Sequence, residues 1–194
     1  CLRKAYFEST RFSNDLDFTT ARRLNCEFLR EQLNLVCDFV QKFSGVIFKK
    51  EETRIEEKMG VDSEKTIYEG RLYFKDFYGN PEKITISIRL DITEFDRIYL
   101  PTQTRNLIHP YSDQSQCMVE IKCLKLEEVL AGKIKCLLQR RHSADLYDFI
   151  YCYLLNSSLS INKSEIISTL LRMTIFRSNP GVIRGLLLDL PFTI

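Results

Sequence analysis

The stretch "RFSNDLDFTT", residues 11–20, carries two aspartates two positions apart, Asp15 and Asp17, in what otherwise reads as a β-strand. Because side chains alternate along a strand, Leu16 and Phe18 share one face of the predicted sheet and the two carboxylates share the other. Like charges that lie this close repel each other unless a cation lies between them. A divalent metal such as Mg²⁺ is one candidate, since hard cations take carboxylate oxygens and keep positions open for phosphates. The alternative is an exposed strand end or turn, where aspartate is common.

A later strand supplies a third carboxylate. In "ITISIRLDIT", residues 84–93, apolar side chains alternate with polar ones, which predicts an amphipathic strand with Asp91 on its polar face. If this strand lies beside the first, three aspartates converge and can hold two metal ions roughly 3.5–4 Å apart, the arrangement used for in-line phosphoryl or nucleotidyl transfer. The alternative is that Asp91 pairs with Arg89 or faces solvent.

The order of the predicted elements indicates the fold class. A helix capped by Thr19 or Thr20 is expected to run to about Phe43, with Phe28 and Phe39 on its apolar face. Three strand-like stretches follow, and the last two are joined in the manner of a hairpin through residues 79–81. A short strand and three helices come later, so we predict an α+β fold. We expect a sheet domain at residues 1–124 and a helical C-terminal portion at residues 125–194.

Composition and cysteine usage limit the class of protein. The 194 residues are 44% apolar and 28% charged, as in a soluble globular protein, and no apolar run approaches the length of a membrane span. The net charge of +2 neither excludes nor indicates a nucleic-acid partner. The seven cysteines are scattered and never spaced as CxxC, which argues against a disulfide framework or a zinc site. A reducing cytoplasm is the expected location, with the cysteines used as small apolar residues.

Two predicted helices in the C-terminal part carry further candidates. Helical spacing places Lys133 inside the apolar stripe of a helix that starts at Leu126, where an ammonium needs an anionic partner such as a nucleotide phosphate. The alternative is a lysine that reaches solvent from the edge of the stripe. On the next helix, which is expected to be capped by Ser143, Asp145 flanks the apolar face, and Asp148 points nearly opposite that face. We therefore favour Asp145 for function, although an aspartate in a first helical turn is also stabilised by the helix dipole alone.

Three motifs in this order carry a family resemblance: "RFSNDLDF", "IRLDI" and "KIKCLLQRRHSADLYDFIY". The chain resembles the AbiEii/AbiGii toxin family of the nucleotidyltransferase superfamily, which includes the MenT toxins, over residues 1 to about 155. The resemblance implies a nucleotidyltransferase-like mixed sheet with helices, Mg²⁺ as cofactor and a nucleoside triphosphate as donor substrate. It also implies a toxin of a toxin–antitoxin or abortive-infection pair, with a cognate antitoxin protein as partner. Some relatives transfer nucleotides to the acceptor end of tRNA.

The first motif assigns residues in the sheet. Asp15 and Asp17 match the metal-binding aspartates, and Ser13 matches the nucleotide-binding serine just before them. A third carboxylate on a strand is a feature of the superfamily, and Asp91 is its candidate here, both as a metal ligand and as a general base.

The later motif assigns residues in the helices. Lys133 matches the lysine that offsets charge on the phosphates, and Asp145 matches the first aspartate of a "DLYDL"-like segment, which orients that lysine or the acceptor. Two departures from the family pattern stand out. Ala144 replaces the usual basic residue, and no Gly-Gly or Gly-Ser motif precedes residue 1, which suggests a fragment without the phosphate-binding turn.

The leading hypothesis is therefore a Mg²⁺-dependent nucleotidyltransferase toxin that transfers a nucleotide from a nucleoside triphosphate to an acceptor. The acceptor is tRNA in some relatives. The second enzymatic hypothesis is nucleotidyl transfer to a protein or a small molecule. A rival from another class is a non-catalytic or degenerate nucleotidyltransferase-fold binding module.

Overall fold

The computed structural model describes residues 2–7, 15–59, 65–75 and 85–175. Strands and helices both contribute, which confirms the α+β class. The chain divides into two compact units, Cys1–Arg97 and Ile98–Ile194. The expected domain boundary between residues 124 and 125 lies inside the second unit. That residues 1–124 and 125–194 are separate domains stays a prediction.

The first unit is built on a four-stranded mixed sheet. Its elements in chain order are α1 (Leu2–Ala5), β1 (Asp15–Thr20), α2 (Cys26–Ser44), β2 (Arg54–Met59), β3 (Thr66–Lys75) and β4 (Thr85–Glu94). The strand order is β1-β4-β3-β2, with β1 parallel to β4 and the other pairs antiparallel. The pairing of β3 with β4 agrees with the predicted hairpin, whose turn at residues 79–81 lies outside the described residues.

The start of α2 differs from the prediction. Thr19 and Thr20 belong to β1, and the helix is capped instead by Asn25, whose side chain accepts a hydrogen bond from the backbone N–H of Phe28 at 2.7 Å. Both threonines are β-branched and extend the strand that the aspartates begin, so sheet pairing takes precedence over helix capping. The helix ends at Gly45, whose φ of 72° is the left-handed conformation that glycine adopts without a steric penalty.

The sheet is polar on one face and apolar on the other, and α2 covers the apolar face. Leu29 of the helix packs against Ile55 of β2 and Tyr68 of β3, and these three form the buried centre of the unit. The apolar face of α2 was predicted wrongly in part, since Phe28 and Phe39 are 46% and 65% exposed. The side of the helix that carries Leu29 packs against Ile55 and Tyr68 of the sheet.

The second unit combines a small hairpin with helices. Its elements are β5 (Gln103–Asn106), α3 (Gln114–Cys117), β6 (Glu120–Cys123), α4 (Leu126–Arg140), α5 (Ser143–Ile150), a π-helical turn (Tyr151–Leu155) and α6 (Lys163–Thr174). Strands β5 and β6 pair antiparallel. The predicted helices from Leu126 and near Ser143 are present. The cap of α5 is His142 rather than Ser143, since the His142 Nδ1 accepts from the Ala144 N–H at 3.3 Å.

The first turn of α4 carries two buried glutamates that hold neighbouring backbone. Both carboxylate oxygens of Glu128 accept backbone N–H groups, one from Tyr99 and one from Leu100, each at 2.9 Å. Glu127 accepts the backbone N–H of Asn162 at 3.1 Å, which ties the start of α6 to α4. Among the helices of the described ranges, none combines the length and apolarity needed to cross a membrane.

Candidate active site

The strand register brings two of the three predicted aspartates side by side. In the parallel pair of β1 and β4, Asp17 lies directly opposite Asp91, and Asp15 lies opposite Arg89. Neighbouring strands are about 4.8 Å apart, and residues in register point to the same face. The three aspartates therefore share one neighbourhood on the polar face of the sheet.

This face carries two parallel rows of charge. The carboxylate row runs across four strands and consists of Asp17, Asp91, Glu69 and Glu56. The adjacent row, two residues along each strand, consists of Asp15, Arg89, Arg71 and Arg54. A shallow pocket of about 230 Å³ lies over this face, and the three arginines and three of the four carboxylates of the first row line it. A ligand in this pocket meets carboxylates on one side and guanidinium groups on the other.

The electrostatics of the carboxylate row favour a cation. Burial raises the pKa of Asp91 above its usual value, and the charge of Asp17 raises it further, against the opposing effect of Arg89. Farther along the row, Glu69 binds Lys58 at 2.5 Å, and this hydrogen bond lowers the pKa of Glu69. Burial and the charge of Asp17 thus both disfavour the ionised form of Asp91, and a bound cation would relieve this cost.

The donor set suits a hard divalent ion, although the side chains are not gathered around one point. Carboxylate oxygens are the ligands that Mg²⁺ prefers. The Oδ1 of Asp15 lies 3.8 Å from Nε of Arg89, and the oxygens of Asp15, Asp17 and Asp91 do not all lie within 4.8 Å of one another. A shared ion would therefore require these side chains to move closer together than they lie here.

The second unit contains a buried charged cluster between α4 and α5. Nζ of Lys133 contacts Oδ1 of Asp145 and Oδ2 of Asp148, each at 2.9 Å. Arg140 binds the same Asp145 with two nitrogens, Nε to Oδ2 at 2.9 Å and Nη2 to Oδ1 at 3.2 Å. Arg141, which has a left-handed φ of 51°, ends α4 and turns the chain so that α5 packs beside it. This reversal sets the cations of α4 against the carboxylates of α5.

The ion pairs of the cluster favour the charged forms of Lys133 and Asp145 through their pKa values. The side chains of Asp145, Asp148 and Lys133 are 2%, 11% and 23% exposed. Burial alone would lower the pKa of Lys133, but the hydrogen bonds to Asp148 and Asp145 outweigh it and the pKa is raised. Burial alone would raise the pKa of Asp145, but the bonds from Arg140 and Lys133 outweigh it and the pKa is lowered. The neighbouring thiol of Cys152 is neutral, because burial and then the charge of Asp148 raise its pKa to about 12.

Comparison with known protein families gives an independent result. The model of a family described as nucleotidyl transferase AbiEii toxin, type IV toxin–antitoxin system, matches residues 1–190. The chain belongs to the AbiEii nucleotidyl transferase toxin family. A search of curated proteins finds no significant match. AbiEii membership confirms the resemblance drawn from the motifs, agrees with the mixed sheet and helices, and implies a nucleoside triphosphate substrate and an antitoxin partner.

The AbiEii motif residues fall into three groups in this structure. Asp15, Asp17 and Asp91 lie together on the sheet, and Lys133 and Asp145 contact each other in the second unit. Ser13 lies outside the described residues.

Sequence reasoning missed two members of the helical cluster. Asp148 was expected to point away from it, yet it is buried against Lys133 as closely as Asp145 is. The signal was present, since residues three apart on a helix lie on one face and "DLYD" spaces its aspartates in that way. Arg140 could have been found by the same argument, because it follows Lys133 by seven residues, about two turns, and so lies on the same side of α4.

Proposed function

We propose that this AbiEii protein transfers a nucleotide from a nucleoside triphosphate to an acceptor hydroxyl, using the polar face of its four-stranded sheet. The observation that carries the proposal is the register of β1 and β4, which sets Asp17 beside Asp91 with Asp15 two residues along. Three carboxylates on one sheet face are costly without a cation and suited to one. This pattern supports a metal-assisted reaction at phosphate more than it supports a structural role.

Asp15, Asp17 and Asp91 are the residues that would hold Mg²⁺. When bound, the ions would neutralise charge on the phosphates and lower the pKa of an acceptor hydroxyl. The raised pKa of Asp91 supports a second role for this residue, because a carboxylate that accepts protons more readily is a better general base. Asp15 and Asp17 would then serve as ligands alone.

The arginine row is the candidate binding site for the phosphates. Arg54, Arg71 and Arg89 are cross-strand neighbours, so three guanidinium groups lie side by side and together offer positive charge to an anion. Guanidinium binds phosphate oxygens through paired N–H donors, which gives both strength and orientation. A triphosphate placed on this row would present its phosphates to the adjacent aspartates. The carboxylate row thus suits the metal ion of a metal–nucleotide substrate, and the arginine row suits its phosphates.

The helical cluster supports a narrower proposal. Asp145 and Asp148 hold the amine of Lys133 in one position, which pre-organises a cation. That Lys133 offsets charge on the phosphates, with Asp145 orienting it, rests on the motif and is proposed on that basis. The same holds for Ser13 as a nucleotide-binding residue.

The biological proposal follows from the family. As the toxin of a type IV toxin–antitoxin pair, the protein would act in the cytoplasm, where nucleoside triphosphates are abundant. We propose RNA as the acceptor class, with the acceptor end of tRNA as the first candidate. The cognate antitoxin is the expected protein partner.

The test is a survey of donors and acceptors. The full-length protein is incubated with each α-labelled nucleoside triphosphate and Mg²⁺, in the presence of total RNA, purified tRNA or total protein. We expect label from one or two of the triphosphates to appear in RNA, and chelation of Mg²⁺ to abolish it. Label in protein alone would support nucleotidyl transfer but would show that the acceptor is a protein and not RNA. No transfer from any triphosphate, by a protein shown to be folded, would favour the non-catalytic binding module.

A further inference from the structure

Residues 101–125 of the second unit form a segment with little burial, called the excursion below. It comprises β5, α3, β6 and the loops beside them, and none of its residues, all of which the structure describes, is buried. A hydrogen bond from the Leu107 N–H to the Val119 carbonyl at 2.9 Å closes the base of the β5–β6 loop. A two-stranded hairpin without a core is marginally stable in water. Small elements of this kind commonly depend on a disulfide or a metal.

Three metal-binding side chains lie together in this loop. His109, Asp113 and Cys117 are spaced four residues apart, and one ligand atom from each lies within 4.8 Å of the others. Nε2 of His109 lies 2.7 Å from Oδ1 of Asp113, and Sγ of Cys117 lies 3.7 Å from Oδ2 of Asp113. Among the described residues this is the group of three that meets such a distance limit.

We propose that His109, Asp113 and Cys117 form a zinc site, against the expectation from cysteine spacing, because this group uses one cysteine and needs no CxxC motif. Imidazole nitrogen, thiolate sulfur and carboxylate oxygen are the three ligand types that Zn²⁺ takes in proteins, at about 2.0–2.3 Å. Tetrahedral coordination at those distances separates the ligand atoms by about 3.5 Å. The two separations seen here, 2.7 Å and 3.7 Å, lie on either side of that value, so small side-chain rotations suffice. The fourth position would be left to water or to a group from a partner.

Other groups of the loop restrict the positions of two of these ligands. The ring of Tyr111 packs edge-on against His109 with a centroid distance of 4.9 Å, which limits the orientations of the imidazole. The backbone of Asp113 starts α3, and the Gln116 N–H donates to its carbonyl at 2.9 Å, which brings Cys117 back toward it. A plain imidazole–carboxylate bond at the surface explains only part of this arrangement, because an exposed pair contributes little to stability and does not require the thiol.

Zinc binding would contribute most to the excursion itself. Cys117 would bind as the thiolate and lose its proton, and the ion would join residues 109 and 117 across the loop. Two of its three ligands, the Cys117 thiolate and the His109 imidazole, are soft or borderline, which separates it chemically from the oxygen-only aspartates of the sheet. The zinc site is therefore independent of the proposed nucleotidyl transfer, and a result against zinc binding would not affect that proposal.

The test uses Co²⁺ as a spectroscopic substitute for Zn²⁺ in the metal-free, full-length protein. We expect one Co²⁺ per chain to give the visible bands of tetrahedral Co²⁺ and a thiolate-to-cobalt charge-transfer band, and both signals to be lost on addition of Zn²⁺. His109→Ala and Cys117→Ser should each lower the affinity at least tenfold, and Cys117→Ser should remove the charge-transfer band. Cys123→Ser, on the neighbouring strand β6, is the matched control and should keep the spectrum.

Two results would overturn the zinc site. One is a wild-type protein without the charge-transfer band. The other is a band that survives in Cys117→Ser, which would mean that another thiol binds the metal. Circular dichroism of each metal-free variant confirms that it is folded, and Asp17→Asn should bind Co²⁺ at this site as the wild type does.

Discussion

Lys133→Met tests whether the charged cluster between α4 and α5 stabilises the fold. The substitution keeps most of the side-chain volume and removes the ammonium that contacts Asp145 and Asp148, each at 2.9 Å. Hydrogen bonds to charged groups contribute about 1.5–3 kcal/mol each. Removal of one partner from a buried ion pair typically costs about 3–5 kcal/mol, because the other charge stays buried.

The structure places the expected cost near the lower end of that range. Asp145 would keep its two bonds from Arg140, and Lys133 is itself 23% exposed, so part of its interaction is screened by solvent. We expect Lys133→Met to lower the free energy of unfolding by about 3 kcal/mol at neutral pH. Urea unfolding followed by far-UV circular dichroism measures this value. Lys135→Met, two residues along the same helix and therefore turned about 200° from Lys133, is the matched control and should cost less than about 1 kcal/mol.

The pH dependence separates a charge effect from a packing effect. The lowered pKa of Asp145 means that its contribution is present above the unfolded pKa of about 3.9 and is lost as the pH falls through the folded value. The raised pKa of Lys133 means that its contribution holds up to the unfolded value of about 10.4 and is lost as the pH rises through the folded one. The difference between wild type and Lys133→Met should therefore be full near pH 7 and shrink in acid. Equal stabilities at neutral pH, or a difference that does not change with acid, would refute the reasoning.

Three further predictions concern single groups. Asp91→Asn should stabilise the metal-free protein at neutral pH, because the raised pKa of Asp91 means that the wild-type fold loses stability as the pH rises through that pKa. The same change should remove the thermal stabilisation by Mg²⁺. Thermal melts with and without Mg²⁺ measure both effects, and an undiminished Mg²⁺ shift would contradict the prediction. Arg141→Gly should raise stability by up to about 1 kcal/mol, since φ of 51° strains a residue with a Cβ, and an unfolding midpoint below that of the wild type would contradict this. Cys152 should resist alkylation by iodoacetamide in the folded protein, because it is buried and its pKa is about 12, whereas Cys123 should react; mass spectrometry of the labelled peptides decides between them.

Local patterns were sufficient to predict the elements of the site. Alternation in residues 84–93 gave β4 and its polar face, and apolar spacing from Leu126 gave α4. The placement of Asp15 and Asp17 on one face needed only the period of a strand. The register of β1 on β4 could not be predicted, because it depends on pairing between residues more than 70 positions apart. That register is what sets Asp17 beside Asp91 and aligns the three arginines.

The failures came where tertiary contacts override local preference. From the sequence alone Lys133 is either a costly charge that awaits a phosphate or a lysine that reaches solvent, so its removal would be harmless to the metal-free protein in either case. The structure supplies Asp145 and Asp148 as partners and reverses the sign of that expectation. Glu127 and Glu128 were not singled out in the sequence, yet both are buried and bind backbone N–H groups. In each case a polar residue is buried because a distant segment offers it a hydrogen bond.

The central claim is that the aspartates of the sheet carry out nucleotidyl transfer. Its most direct test compares the rate of label transfer to RNA by Asp17→Asn and by Glu57→Gln, each in the full-length chain with Mg²⁺. Both changes remove one carboxylate charge from the sheet, but Glu57 lies one position along β2 from the carboxylate row and hence on the opposite face. We expect Asp17→Asn to slow transfer by about 10²-fold or more and Glu57→Gln to be near wild type, with both variants folded. Transfer by Asp17→Asn at the wild-type rate would contradict the account.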